Sequence, residues 1–204
     1  MIIWKEQKAK LISQTIMPVT LINNVARVCY KSLTPGDEDK QLEFIKKLIE
    51  KGHESPLEFI DFIFFLQTNR AIANELVRHR IASYMQESTR YVQYENLEMI
   101  KTPELVPNSL IEDRLQSLFI QYQSMIKDGT RKEMARDLLP LGMVTHMYMK
   151  MNLRELRHFI KLRGNKAAHP MMRQLVNLMV AELYHANSPK RMEAFLYGIP
   201  SVAP

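Results

Sequence analysis

Apolar residues recur at helical spacing, every three or four positions, through most of the chain. Pro18 opens one such pattern, Asp37 and Asn69 stand where N-caps are expected, and Gly52 stands where a helix is expected to end. The pattern predicts helices over residues 18–28, 38–51, 70–77, 110–127, 131–140, 152–162 and 170–186.

Two further stretches have the composition or the period of strands. Residues 59–66 are rich in aromatic and β-branched side chains and predict a strand that is buried on both faces. Residues 143–151 alternate, and one face of that strand is predicted to carry Val144, His146, Tyr148 and Lys150. The mixture predicts an α+β fold in which helices pack on a small sheet.

The length and the composition predict one domain over residues 1–204. Cys29 is the single cysteine, so the chain cannot form an internal disulfide, and we expect a reducing, cytoplasmic environment. We interpret Cys29 as a small buried side chain rather than a nucleophile. The first six residues are charged too soon for a signal peptide, and no apolar run approaches the roughly 20 residues that span a bilayer.

The formal net charge of +6 is compatible with two kinds of partner. Nucleic acid is one, and small ligands that carry several phosphates are the other. Basic residues are spread through the chain and mixed with acidic ones, so composition leaves both possibilities open. The six glycines do not form a dinucleotide fingerprint or a P-loop, and neither cysteine pairs nor histidine spacing indicates a metal site.

The run from Arg78 to Tyr91 is rich in polar side chains, with three guanidinium groups, an imidazole and several hydroxyls in fourteen positions. Guanidinium groups and hydroxyls suit phosphate and carboxylate oxygens. The alternative is a solvated basic surface. Ile81, Ala82 and Tyr84 interleave with the charges, so part of the run must face apolar surroundings. We therefore favour a site for a phosphate-rich ligand.

The spacing Arg78-His79-Arg80, seven residues, Ser88, one residue and Arg90 resembles the signature of flavin-dependent thymidylate synthases. Three further stretches are similar to that family in the same order. They are residues 52–58, residues 133–140 and residues 152–163.

This resemblance implies the fold of the family, a small, mostly antiparallel sheet packed with helices, assembled as a homotetramer whose subunits share the active sites. It implies synthesis of thymidylate from dUMP, with 5,10-methylenetetrahydrofolate as the one-carbon donor and NADPH as the reductant through FAD. It implies no metal and no protein nucleophile, in agreement with our interpretation of Cys29.

The resemblance also assigns roles to single residues. Arg163 is the implied catalytic residue, which favours the ionised uracil. The implied cofactor-binding residues are His53, Ser55, Arg78, His79, Arg80, Gln86, Asn152, Arg154 and His158. The implied substrate-binding residues are Glu75, Arg78, Gln86, Ser88, Arg90, Arg136 and Arg163.

Other interpretations of these residues stay open. Arg136 can form a helix-surface ion pair with Glu133, three positions earlier, and His53 can be an ordinary loop residue. The chain also departs from the family at Glu75 and Gln86, where relatives carry Gln and Glu. The alternatives for function are therefore a flavin-dependent relative that alkylates another pyrimidine nucleotide, and a nucleic-acid-binding module.

Overall fold

The structure, a computed structural model, describes residues 1–102 and 108–200. The strands are β1 (Ile2–Lys5), β2 (Lys8–Gln14), β3 (Asp61–Asn69), β4 (Ser83–Gln86), β5 (Leu97–Ile100) and β6 (Val144–Asn152). The helices are α1 (Pro18–Val28), α2 (Glu38–Glu50), α3 (Arg70–Leu76), α4 (Ser109–Lys127), α5 (Lys132–Ala135), α6 (Leu153–Arg163), α7 (Pro170–Ala186) and α8 (Pro189–Phe195). Short 3-10 turns form at Ser55–Phe59 and Arg136–Leu138.

Side-chain caps begin the helices where the sequence predicts them. The Asp37 carboxylate accepts from the backbone N–H groups of Asp39 and Lys40, and the Asn69 side chain accepts from that of Ile72. Gly52, with φ of 73°, follows the end of α2. The helix predicted over residues 131–140 is shorter than expected and consists of α5 and a 3-10 turn.

The prediction of a strand buried on both faces is wrong for β3. Phe62, Phe64 and Leu66 are buried, whereas Ile63 and Phe65 on the other face are only half-buried. An antiparallel sheet commonly packs one face on the core and leaves the other partly open, and β3 follows that pattern.

Strands β2, β3, β6 and β4 form one sheet in this order, and β1 pairs with β5 in parallel. The backbone N–H of Leu153 donates to Ile60, whereas that of Arg70 donates to Met143, so β3 and β6 run antiparallel. The α+β class and the antiparallel sheet are therefore confirmed. None of the helices within residues 1–102 and 108–200 has the length and apolarity that a membrane crossing requires.

Contacts divide the chain into two compact units, and the prediction of a single domain stays a prediction. Unit 1 contains residues 1–8, 66–78 and 85–147. Its core lies around Phe119 and Tyr122, whose rings stack at 5.7 Å between centroids. The indole of Trp4 donates to the Glu112 carboxylate at 2.6 Å.

Unit 2 contains residues 9–65, 79–84 and 148–204, of which residues 9–65, 79–84 and 148–200 are described. In this unit α1 contacts α2, and α6 contacts α7. The apolar stripe of α6 is fully buried, as the sequence predicts, and includes Leu153, Leu156 and Ile160.

Candidate active site

The predicted site residues are divided between the two units. Unit 1 holds most of the predicted nucleotide-binding positions. Unit 2 holds most of the predicted flavin-binding positions together with the predicted catalytic arginine. Unit 1 carries Glu75, Arg78, Gln86, Ser88, Arg90 and Arg136. Unit 2 carries His53, Ser55, His79, Arg80, Asn152, Arg154, His158 and Arg163.

His79 is a buried imidazole, only 6% exposed, that contacts the first turn of α6. Its Nε2 lies 2.8 Å from the Glu155 carboxylate, and its ring centroid lies 5.7 Å from that of His158. Burial lowers the pKa of His79, Glu155 opposes that shift, and the charges of His158 and Arg163 reinforce it. His79 is therefore held as a neutral ring beside a carboxylate.

Tyr84 fixes the backbone next to this ring. Its hydroxyl donates to the carbonyl oxygen of His79 at 2.8 Å. Burial raises the pKa of Tyr84 to about 12, although the positive charge of Arg163 acts in the opposite direction. The phenol consequently remains a hydrogen-bond donor at neutral pH. Arg80, in contrast, is exposed.

The N-terminal half of α6 borders a cavity of about 700 Å³ in unit 2, which we call the α6 cavity. Asn152 lies at its edge and caps the helix, because its side chain accepts from the backbone N–H of Glu155 at 2.9 Å. Arg154 pairs with Glu58 at 2.5 Å and contacts Glu54 at 3.7 Å. The lining residues include Ile81, Asn152, Arg154, Glu155, His158 and Lys161.

Arg163 is the last residue of α6 and is half-buried. A cation at this position interacts favourably with the partial negative charge of the helix C-terminus. The effect of Arg163 on the pKa values of both His79 and Tyr84 shows that its charge acts on the same group of side chains. The structure thus places Arg163 near enough to His79 and Tyr84 for its charge to act on both.

Sequence analysis missed two buried charges on α6. Glu155 contacts His79, and Arg157, only 8% exposed, donates to the carbonyl oxygens of Phe195 at 2.5 Å and Tyr197 at 2.9 Å. Burial lowers the pKa of Arg157, while Glu54 raises it. The signal for Arg157 was its spacing, because it falls on the apolar stripe of α6.

A second cavity, of about 510 Å³, contains the remaining predicted residues of unit 2 and is called the α1–α2 cavity below. His53 and Ser55 line it, and so does Cys29. The interpretation of Cys29 as a buried side chain is wrong, because this thiol is exposed. It follows the last residue of α1, where the helix ends and no neighbouring element covers it among the described residues.

In unit 1, residues 86–92 form a hydrogen-bonded turn. The Gln86 amide donates to the Thr145 hydroxyl at 3.2 Å, and the backbone N–H of Arg90 donates to the Ser88 hydroxyl at 3.3 Å. The carbonyl oxygen of Ser88 accepts from the backbone N–H groups of Tyr91 and Val92. This turn places Ser88 and Arg90 side by side.

Two arginines in unit 1 present guanidinium groups at its surface. Arg90 is paired with Glu133 at 3.3 Å, and Glu133 also contacts Arg131. The alternative prediction, an ion pair between Arg136 and Glu133, is therefore wrong, because Glu133 pairs with Arg90 and Arg131 instead. Within the described ranges, exposed Arg136 forms no ion pair.

Glu87 is a further polar residue that sequence analysis missed. Its carboxylate accepts from the Tyr94 hydroxyl at 2.6 Å and lies 2.9 Å from Nδ1 of His146. Burial, together with this hydrogen bond, raises the pKa of Tyr94. These contacts fix the side chain of Glu87, the residue that follows Gln86 in the chain. Glu75 lies half-buried in α3, and Arg78 is exposed just after it.

One group has the composition of a metal site. The ligand atoms of His79, Glu155 and His158 lie within 4.8 Å of one another, although the histidines do not show metal-ligand spacing in the sequence. The contact between His79 and Glu155 and the nearby positive charge of Arg163 both oppose occupation by a cation. The donors instead suit an electron-rich, hydrogen-bonding ligand.

The folded units thus present clustered guanidinium and imidazole groups beside cavities, as in an enzyme that binds nucleotides. Residues 10–187 match the profile of the family described as thymidylate synthase complementing protein. The chain belongs to this family. A flavin-dependent thymidylate synthase from Kosmotoga olearia is 34% identical over 192 residues, which cover 84% of this chain and 82% of the relative.

Two other proteins are similar over most of the chain. The flavin-dependent thymidylate synthase from Geobacter sulfurreducens is 34% identical over 184 residues, which cover 82% of this chain and 78% of the relative. The UMP/dUMP methylase PolB from Streptomyces cacaoi, solved with 5-Br dUMP, has a TM-score of 0.78 and 19% identity. That match covers 95% of this chain and 96% of the other, and it shows a common fold.

The lowered pKa of His79 predicts a loss of stability in mild acid. The unfolded chain binds a proton on this imidazole near pH 6.5, whereas the folded chain resists it. The contribution of the neutral ring is complete above pH 6.5 and is lost progressively as the pH falls from that value through the lower pKa of the folded chain. In urea unfolding, His79→Gln should lose less stability than wild type between about pH 7 and pH 5.

His185→Gln is the matched control for this experiment, because His185 is exposed at the end of α7. It should follow the wild-type dependence on pH. Equal slopes for wild type and His79→Gln would contradict the assignment.

Proposed function

We propose that this protein is a flavin-dependent thymidylate synthase that converts dUMP to dTMP. The one-carbon donor is 5,10-methylenetetrahydrofolate, and NADPH is the reductant through FAD. The observation that carries the proposal is the group formed by His79, Glu155, His158 and Arg163 in a chain of this family. Guanidinium and imidazole groups that are ordered at a cavity are better explained as a site for two anionic ligands than as a solvated surface.

The α6 cavity has the donors that FAD requires. Its volume lies within the usual range for small-molecule sites, and Asn152, Arg154 and His158 offer N–H groups to ring carbonyls and phosphate oxygens. Ile81 supplies an apolar wall. We assign these residues, with Arg78, His79, Arg80, His53 and Ser55, to flavin binding. When bound, the flavin supplies the hydride that completes the methyl group.

Ser88, Arg90 and Arg136 are assigned to the phosphate of dUMP. The turn that places Ser88 beside Arg90 supports this role, and so does the absence of an ion pair at Arg136 within the described residues. The pairing of Arg90 with Glu133 is surface-exposed and weak, so a dianionic phosphate can replace it. Glu75 and Gln86 are assigned to the rest of the nucleotide.

Arg163 is assigned to activation of the pyrimidine. A fixed cation beside N3 lowers the pKa of that position and stabilises the ionised uracil. Ionisation at N3 raises electron density at C5, which can then attack the one-carbon unit without an enzyme nucleophile. The half-buried position of Arg163 at the end of α6 supports this role, because partial exclusion of water strengthens its field.

We further propose a homotetramer whose subunits share the active sites. Large apolar side chains are exposed on the isolated chain, which is typical of surfaces that a partner covers. Leu33 is 91% exposed and Ile16 85%, and Met85 and Tyr91 are also largely exposed. Size-exclusion chromatography with light scattering tests the assembly directly.

The reaction is tested by release of tritium from dUMP labelled at C5, with FAD, NADPH and methylenetetrahydrofolate present. Parallel assays with dCMP and UMP test the alternative of another pyrimidine substrate, and turnover confined to one of these would reject dUMP. A nucleic-acid-binding module would instead be colourless and bind oligonucleotides with a steep dependence on salt. We expect a flavin absorbance spectrum and turnover of dUMP.

Arg163→Ala should reduce turnover of dUMP by about a hundredfold or more, since it removes a preorganised charge from the reacting ring. Flavin occupancy, measured by absorbance, should change by less than about twofold, because the assigned flavin donors remain. Lys166→Ala, at an exposed position three residues later, is the control. Parallel losses of turnover and of flavin would contradict the assigned role.

Cys29→Ala should retain turnover within about threefold, because an exposed side chain contributes little to stability and the proposed reaction needs no thiol. The measurement is tritium release at saturating dUMP. Abolished turnover in a folded, flavin-bound variant would instead identify Cys29 as a nucleophile.

A further inference from the structure

The α1–α2 cavity has a lining that the proposed site residues do not explain. Aromatic rings and cations surround it together, and its lining contains no aspartate or glutamate among the described residues. A ligand for it should therefore combine an aromatic portion with negative charge. The rings are Tyr30, Phe44 and Phe59, and the cations are Arg27, Lys47 and Lys51.

The three cations of this cavity lack acidic partners. Within residues 1–102 and 108–200, Arg27, Lys47 and Lys51 form no ion pair. Two acidic residues of α2 are engaged elsewhere, whereas Asp37 lies 4.0 Å from Lys40. Asp39 pairs with Lys190 at 2.9 Å, and Glu43 pairs with Lys46 at 3.7 Å.

Two basic residues of α2, together with Lys51 just past its end, lie on one face of the helix. Lys40, Phe44, Lys47 and Lys51 follow one another at intervals of four, three and four positions, so they form a single stripe. Lys47 and Lys51 stand about 6 Å apart along the axis, and Lys40 lies about 10 Å beyond Lys47. An adjoining cavity of about 450 Å³ shares Arg27, Phe44 and Lys47 and continues to Lys40, and the lining of this second cavity also includes Asp39 and Glu43.

The rim of the cavity is preformed. The guanidinium of Arg27 lies 4.3 Å above the centre of the Phe44 ring, a cation–π contact. The carbonyl oxygen of Arg27 accepts from the backbone N–H of Tyr30, and Lys31 adopts a left-handed φ of 47°. A residue with a side chain rarely adopts this conformation, and such residues cluster at ligand sites.

We propose that the α1–α2 cavity and the stripe bind the p-aminobenzoyl-oligoglutamate tail of the folate co-substrate. The inference rests on the proposed function, which supplies a folate, and it directs the reactive ring of that folate toward the flavin-binding residues His53 and Ser55, which line the same cavity. The aryl group stacks among Tyr30, Phe44 and Phe59. The successive carboxylates of the tail then follow the cations along α2, so each added glutamate gains a further ion pair.

The test compares binding of tetrahydrofolate with one and with three glutamates to the flavin-loaded protein, by calorimetry. We expect the triglutamate to bind about tenfold more tightly, because exposed ion pairs are individually weak but several act together. Lys47→Gln/Lys51→Gln should reduce this advantage to about twofold or less and leave the monoglutamate nearly unaffected. Higher ionic strength should reduce the advantage of the wild type.

Lys127→Gln, at an exposed position in α4, is the control and should keep the full advantage. Equal affinities of the two folates for wild type would overturn the proposal, and so would an advantage that survives in the double variant. Release of FAD when triglutamate binds would also overturn it, because the tail would then occupy the place of the flavin rather than a place beside it. Preferential binding of triglutamate without methylation of dUMP would support this inference while contradicting the proposed reaction.

Discussion

The contact between the buried imidazole of His79 and the carboxylate of Glu155 positions the rest of unit 2's polar side chains. It joins the Arg78–Arg80 segment to the first turn of α6, from which Arg154, His158 and Arg163 project. This contact of 2.8 Å between two largely buried side chains keeps the loop close to the helix. Loss of either partner would leave the other desolvated next to further charges, at a cost larger than that of an exposed ion pair.

The elements that sequence analysis predicted are those specified locally. Asp37 and Asn69 cap the helices that they precede, because an N-cap needs only its own side chain and the next turn. Of the six strands within the described residues, four were not predicted. Such strands as β1 and β5 have only four residues, and their pairing joins segments almost a hundred positions apart. The exposure of one face of β3 likewise depends on residues distant in the chain, and the composition of the strand does not reveal them.

The motif residues of the site were found in the sequence, but their partners were not. Glu155 stands three positions after Asn152, and this spacing is that of a capping box, so the sequence gives no reason to pair it with His79. Glu87 is similar, since only the fold brings His146 and Tyr94 to it. Cys29 was misjudged because composition favours burial of a lone cysteine, whereas exposure is decided by where α1 ends.

The anchoring of Arg157 has a consequence for proteolysis. Its guanidinium is nearly inaccessible to water, and two of its acceptors are the main-chain oxygens of Phe195, the last residue of α8, and of Tyr197 just after it. An exopeptidase that digests backward through Tyr197 removes one acceptor and leaves a desolvated cation without it. This lowers the free energy of unfolding by more than the loss of a surface residue does. Trimming should therefore slow at this point or proceed to complete degradation of the unit.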